Sequence, residues 1–186
     1  MMRNMSLYEE VIIAGSGGQG IILASKLLAQ VATKNGKEVT LMPSYGAEVR
    51  GGTANCMIVI SDKPIASPVI SNPSSLIVMN GMSLNKFAPR LKHDGLVVLN
   101  STLVKQIPQL PDTIEVLEIP ADDIAAELGN SKAANMVMLG AYLQKRLMFS
   151  AEAAIKCLPD MISGKNQSVL ALNAEALARG ASLVSG

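Results

Sequence analysis

Val11-Ile-Ile-Ala-Gly-Ser-Gly-Gly-Gln-Gly20 runs from a continuous apolar stretch straight into four glycines within six positions. Residues 11–14 read as a buried strand, because an unbroken apolar run bounded by a turn leaves no face for water. Residues 20–33 then read as a helix: Ile21, Ala24, Leu28 and Val31 recur at helical spacing, and Gly36 supplies the stop. A strand delivered through a glycine turn into a helix is the unit from which parallel sheets with crossover helices are built, and it sets the fold class.

The alternation continues outward from that unit. Residues 38–42, 56–60, 76–79, 96–99 and 114–119 have the apolar, β-branched character of further strands, and a short helix is expected over 84–91. Ser61-Asp-Lys-Pro64 is a turn, and residues 64–73 form a long irregular connection, a class of segment that is often functional. From Pro120 the pattern is helical, over 121–128, 133–147, 151–158 and 168–183, with Gly164 to Gln167 as a connection between helices. The expected fold is a three-layer α/β, Rossmann-like domain with a mostly parallel central sheet and helices on both faces. The length of 186 residues suits one such domain over 1–186.

Hydrophobic residues make up 49% of the chain and charged residues 17%, too apolar for disorder and lean in surface charge, so part of the surface is expected to meet a partner. A net charge of +1 with only 3% aromatics gives neither the electrostatics nor the stacking platforms for nucleic acid, and none is expected as a partner. Cys56 and Cys157 stand far apart, with no spacing for a cluster, a zinc site or a disulfide framework, which fits a reducing cytoplasm. No apolar run approaches the roughly 20 residues that span a bilayer, and residues 1–10 lack a signal-peptide core, so no membrane is expected.

Gly15, Gly17 and Gly20 satisfy GxGxxG between a strand and a helix, with Gly18 and Gln19 inside the same turn. Such a turn directs unpaired helix N-terminal amides and the positive end of the helix dipole at an anion, while missing side chains let the ligand approach. The same glycines also serve helix-on-sheet packing without any ligand, and both readings stand at this point. An NAD site needs an acid at the end of the second strand for the ribose, where this chain has Met42, Pro43 and Ser44. A P-loop fails as well, because no Gly-Lys-Ser/Thr follows.

Ser44-Tyr-Gly-Ala-Glu-Val-Arg-Gly-Gly-Thr-Ala-Asn55 sets a tyrosine, an acid and an arginine among three glycines between two strand-like runs. The guanidinium of Arg50 is a planar fork suited to carboxylate or phosphate, and Gly51 and Gly52 allow close approach, so the segment reads as a recognition loop. The plainer alternative is a Glu48–Arg50 pair tying a surface turn, worth only about 0 to 1 kcal/mol. That pair leaves Tyr45, Thr53 and the glycines unaccounted for.

Taken together, Gly15–Gly20, Leu23-Ala24, Leu28-Ala29, the 44–55 segment, Ile60-Ser61, Ser67-Pro68, Asn135-Met-Val-Met-Leu-Gly140 and Asn173-Ala-Glu-Ala-Leu-Ala-Arg-Gly180 resemble the gamma subunit of 2-oxoacid:ferredoxin oxidoreductases. The resemblance implies a complex that converts a 2-oxoacid and coenzyme A into acyl-CoA and carbon dioxide while reducing ferredoxin. It implies alpha, beta and delta subunits as partners, with ferredoxin reached through the complex. The Gly-Asp-Gly…Asn-Asn signature of thiamine diphosphate is absent, and two isolated cysteines do not hold a four-iron cluster, so those cofactors belong to partner subunits. No catalytic residue is expected on this chain, and no cofactor bound by it alone. Gly15, Gly17, Gly18, Gln19 and Gly20 are the candidates for an anionic part of coenzyme A. Ser44, Tyr45, Glu48, Arg50, Gly51, Gly52, Thr53 and Asn55 are the candidates for contact with a partner or with the coenzyme. A gamma chain without fused thiamine or cluster domains resembles most the 2-oxoglutarate type. The rival readings are a stand-alone NAD-type nucleotide-binding module and a purely structural interface subunit.

His93, beside Lys92 and Asp94 at a turn, has no nucleophile or second ligand near it in sequence and reads as solvated. Asp122, Asp123 and Glu127 read as a solvated helix start, where negative charge suits the dipole, and no metal site is expected. The 11 methionines read mainly as core filling.

Overall fold

The structure is a computed structural model that describes residues 6–44, 53–162 and 166–184. Strands β1 (Tyr8–Ser16), β2 (Glu38–Ser44), β3 (Thr53–Ser61), β4 (Ser75–Val78), β5 (Leu96–Asn100) and β6 (Glu115–Ile119) form one sheet in the order β2-β3-β1-β4-β5-β6. The pairs β1–β4, β4–β5 and β5–β6 are parallel, whereas β3 runs antiparallel to both neighbours. The expected α/β class with a mostly parallel sheet is therefore present, with one reversal. Strand β3 lies between β2 and β1 and runs against the direction of both.

Helices α1 (Ile21–Lys34), α3 (Ala121–Glu127), α4 (Ala134–Arg146), α5 (Ala151–Met161) and α6 (Gln167–Ser182) bury their apolar sides in a core with Val11, Ile13, Cys56, Ile58 and Val98. The opposite face carries α2 (Gly81–Phe87), continued by a short 3-10 turn over Ala88–Arg90, against Ile12, Ala14, Leu76, Val78 and Val97. Alternate residues of β1 thus face opposite layers and both are buried, which is why residues 11–14 are apolar without a break. The single helix expected over 84–91 is instead α2 with its 3-10 extension. Its start is fixed by Asn80, whose side-chain oxygen accepts from the Ser83 amide at 2.9 Å.

Two element ends differ from the sequence expectation for identifiable reasons. Strand β1 begins at Tyr8, three residues before the apolar run, because it pairs with β3 along all nine residues and its buried Glu9 is neutralised locally. Arg146 Nε lies 3.2 Å from Glu9 Oε1, Ser75 Oγ donates to the same oxygen at 2.5 Å, and the Tyr142 hydroxyl donates to it at 3.2 Å. Helix α5 continues through Pro159 to Met161. A proline near the end of a helix forfeits one hydrogen bond, and Asp160 holds this last turn by accepting from Lys34 and Gln30 of α1.

The closest helix approach is between α4 and α6, where a Cβ on Gly140 would fall on the Leu177 carbonyl and one on Gly180 on the Val137 carbonyl. These two glycines let the helices meet backbone to backbone, and they seat α4 along the whole height of the sheet. The amino end of α4 reaches the glycine turn through Asn135, and its carboxyl end reaches the opposite rim through Arg146.

Candidate functional site

The glycine turn sits at the carboxyl end of β1, beside the carboxyl end of β4. Strand β1 feeds α1 on one face and β4 feeds α2 on the other, so the two neighbouring strands part into opposite layers there. Such a switch point opens a crevice in which open α/β sheets bind ligands. Its floor is a network of uncharged amides and hydroxyls. The Ser16 amide donates to Gln19 Oε1 at 2.7 Å, Asn80 Nδ2 donates to Ser16 Oγ at 2.8 Å and to Gln19 Oε1 at 3.3 Å, and Gln19 Nε2 reaches the Met79 carbonyl at 3.5 Å. Asn135 Nδ2 donates to the Gly20 carbonyl at 3.0 Å and ties the turn to α4.

The glycines of the turn divide into two kinds. A Cβ on Gly15 would meet Gln19 Oε1 at 2.7 Å and Met79 Cβ at 2.9 Å, and one on Gly20 would strike the Asn135 amide, so packing within the chain accounts for both. Gly20 is also left-handed, at φ 72°. Gly17 and Gly18, by contrast, have nothing among the described residues within 4 Å of a Cβ position. Gly18 owes its identity in part to a φ of 88°, but Gly17 lies outside the left-handed region. Behind them α1 begins with no side-chain cap, and its first amides point out of the helix without intrahelical acceptors. Two depressions flank this edge. A shallow one of about 370 Å³ lies toward α1 and Ala54, and a polar one of about 180 Å³ runs from Gly18 and Gln19 to Asp122, Ser131 and Lys132.

Among the other residues singled out in the sequence, Ser44 ends β2 exposed and pairs in register with Asn55, and Thr53 opens β3 opposite Ser16. Asn55 is 5% exposed and, among the described residues, its Oδ1 has no partner. Tyr45, Glu48, Arg50, Gly51 and Gly52 lie outside the described residues. Asp122 departs from the expected solvated helix start: it is half-buried, and its Oδ2 accepts from Nδ2 of the fully buried Asn100. Asp123 and Glu127 are exposed as expected, and His93 lies at the surface against Asp94 at 2.9 Å. Burial pushes the Cys56 thiol above its ordinary pKa, so it stays protonated as a small core residue. With Cys157 also buried and alone, the cysteines do not fit an iron–sulfur cluster. The sequence does not single out Asn80 or Asn100, and marks Asn135 only as the start of the 135–140 stretch, with no part in the turn. Each stands at the end of an apolar strand or the start of a helix, where a carboxamide is the signal to look for.

The pyruvate ferredoxin/flavodoxin oxidoreductase family model matches residues 10–183. The ketoisovalerate oxidoreductase subunit VorA of Methanothermobacter thermautotrophicus is 33% identical over 92% of this chain, which spans only 35% of that relative. The 2-oxoglutarate synthase subunit KorC of Methanocaldococcus jannaschii is 33% identical over 86% of this chain and 87% of its own length. Among solved structures, the gamma subunit of a keto/oxoacid ferredoxin oxidoreductase from Geobacter sulfurreducens superposes with a TM-score of 0.81 at 28% identity, covering 95% of this chain and 98% of that one. A 2-oxoglutarate:ferredoxin oxidoreductase from Magnetococcus marinus, solved with 2-oxoglutarate, coenzyme A and succinyl-CoA bound, gives a TM-score of 0.85 at 26% identity over 95% of this chain and 31% of that one. With matched sequence running almost end to end and the same sheet beneath it, the chain belongs to the pyruvate ferredoxin/flavodoxin oxidoreductase family, among its gamma-type members.

Proposed function

We propose that this chain, acting as one domain, is the coenzyme A side of a 2-oxoacid:ferredoxin oxidoreductase whose thiamine diphosphate and iron–sulfur clusters lie on alpha, beta and delta partner subunits. The observation that carries this reading is the open edge at Gly17 and Gly18 beneath the uncapped start of α1. Two glycine side-chain positions left empty by the described residues, with helix amides behind them, suit the pyrophosphate of a nucleotide. The coenzyme named with the Magnetococcus structure supplies such a group. At the end of β2 the chain offers Met42, Pro43 and Ser44, so an NAD-type ribose finds no acid at the end of that strand.

The residues of this chain act by binding and orientation. Gln19, Ser16 and Asn80 hold the turn in shape, and the α1 amides face the anion. The redox chemistry is supplied by the partners' cofactors, the isolated chain is inactive, and the site works in the cytoplasm. Among the described residues, no helix is long and apolar enough to cross a membrane. We assign the 2-oxoglutarate type, in line with the KorC relative that matches this chain over nearly its whole length.

Co-purification with thiamine-enzyme partners, followed by calorimetry with coenzyme A and with NAD, tests the reading. Micromolar coenzyme A binding by the assembled complex is expected, and tight NAD binding by the chain without partners overturns it. A second reading, a structural interface subunit, is favoured by Gly15 and Gly20, which the chain's own side chains fill. Stable co-purification with no contribution of this chain to coenzyme binding selects that alternative.

A further inference from the structure

The two faces of the sheet are covered unequally. Five helices bury one face, whereas α2 and its 3-10 turn cover the other with help from the connections 64–73 and 101–114, which supply Ile65, Ile70, Val104, Leu110 and Ile114. Val69, Met82, Leu103 and Ile107, four of the seven large apolar side chains exposed among the described residues, lie on these same segments and are 40 to 55 or 56% exposed. A cavity of about 210 Å³ opens between α2 and the second connection. Its walls include the rings of Pro89, Pro108 and Pro111, and Asn85 and Gln109 bring carboxamides to it. Met82 stands one turn before Asn85 on the same side of α2, and Ile107 adjoins Pro108, so exposed apolar side chains flank the opening. The charge beside it is mainly positive. Residues 81–91 and 101–111, which supply every lining residue but Ile114, carry Lys86, Arg90 and Lys105 and no acid, and Asp112 is the first beyond them. Lys86 Nζ and Arg90 Cζ lie 5.2 and 5.6 Å from the centre of the Phe87 ring, which holds both cations on this face.

We infer that this cavity anchors one aromatic side chain from an acidic segment of a partner subunit. The inference rests on the reading of the chain as a subunit of the oxidoreductase complex. At about 210 Å³ the cavity falls below the roughly 300 to 1,000 Å³ of sites that hold a whole small molecule. A single aromatic side chain seated in a pocket is instead a common anchor of protein interfaces. Proline rings pack against aromatic faces wherever proline-rich segments are read, and here the prolines are on the receiving side. Asn85 and Gln109 suit the hydroxyl of a tyrosine, which takes a hydrogen-bond partner when buried. Carboxylates beside the anchor complement Lys86, Arg90 and Lys105, and Met82 and Ile107 supply apolar contact around it.

The test uses the full-length chain assembled with its partner subunits, with the photocrosslinker benzoylphenylalanine in place of Gln109, which is exposed at the mouth of the cavity. The crosslinked peptide is expected to come from a partner subunit and to carry Tyr, Phe or Trp flanked by Asp or Glu. Lys105→Glu, at an exposed position, should weaken assembly by about tenfold at low salt and much less at high salt, because it acts through charge. Asn85→Trp, which fills the cavity from an exposed position, should weaken assembly by about tenfold at either salt concentration. A crosslink to a second copy of this chain, to a partner peptide without an aromatic residue, or to no polypeptide overturns the inference, and so does undiminished assembly of either variant. If the wild-type chain still co-purifies with thiamine-enzyme partners in that event, the proposed function stands without this surface. If no such partner co-purifies with the wild type, that function fails and the inference falls with it.

Discussion

Among the described residues, glycines come together in two places, and the two differ in what occupies the space their missing side chains leave. At the α4–α6 crossing, Gly140 and Gly180 face the partner helix's backbone, and the protein itself fills the gap. At the turn after β1, Gly15 and Gly20 are filled in the same way, but Gly17 and Gly18 face none of the described residues. A glycine filled by its own chain is evidence about packing. A glycine with no described neighbour and no left-handed φ, as at Gly17, points to something beyond the described residues, because neither their sterics nor the backbone demands it. The open positions lie at the carboxyl end of the parallel strands, away from the ionic cluster of Glu9 and Arg146 at the other end.

The sharpest way to break the comparison is at the crossing. Gly180→Ala places a methyl group on the Val137 carbonyl, and Gly140→Ala places one on the Leu177 carbonyl. Alanine is favoured over glycine in a helix by about 1 kcal/mol, yet overpacking against backbone that cannot move costs more, so each variant should lose about 3 kcal/mol or more. Urea unfolding measures this. A neutral or stabilising result at either position shows that α4 and α6 separate easily, and the distinction between filled and open glycines collapses.

Gly20 belongs to the filled class but lies in the turn, so it tests whether location or occupancy governs the cost. Its φ of 72° and its contact with the Asn135 amide both oppose a side chain. Gly20→Ala should lose about 2 kcal/mol, less than at the crossing because an amide side chain yields more readily than a carbonyl. In Gly20→Ala/Asn135→Ala the steric part disappears. The pair should therefore cost less than the sum of the single changes by roughly 1 kcal/mol, and strict additivity would show that backbone conformation alone sets the cost.

The alternation of strand and helix was legible because each buried strand is an unbroken apolar run and each helix shows its spacing. The reversal at β3 was hidden, since a strand buried on both faces reads the same in either direction. Glu9 was missed as part of β1 because its partners, Ser75, Tyr142 and Arg146, are 66 to 137 positions away. The glycine turn itself could be placed from sequence, but its division into filled and open positions depends on Met79 and Asn135, which only the fold brings near. Asp122 looked like an ordinary helix-start acid for the same reason: Asn100, which orients it, comes from a different strand.

A pH titration loosens α4 without touching either set of glycines. Burial, and next to it the Glu9 carboxylate, push the Tyr142 hydroxyl well above its ordinary value of 10.0. The folded chain therefore keeps a proton that the unfolded chain releases, so this contribution to stability is complete below pH 10 and declines as pH rises beyond it. Tyr142→Phe should cost roughly 1 kcal/mol at neutral pH by removing the bond to Glu9, and should flatten the loss of stability above pH 10. Equal slopes for the two proteins in chemical unfolding between pH 9 and 11 would assign that loss to other groups.

The smallest expected effect on stability is the most informative one. Gly17→Val adds a side chain where none of the described residues lies within 4 Å, at a position outside the left-handed region, so unfolding should move by no more than about 0.5 kcal/mol. The same change fills the edge over the α1 amides, and coenzyme A affinity in the assembled complex should fall by about tenfold or more, with pyrophosphate competing poorly against what remains. Stability and binding thus separate at this glycine, whereas at Gly180 any loss of binding follows unfolding. If Gly17→Val instead destabilises the chain as Gly180→Ala does, the turn is a packing device throughout, and the open edge at Gly17 and Gly18 ceases to be evidence for a ligand.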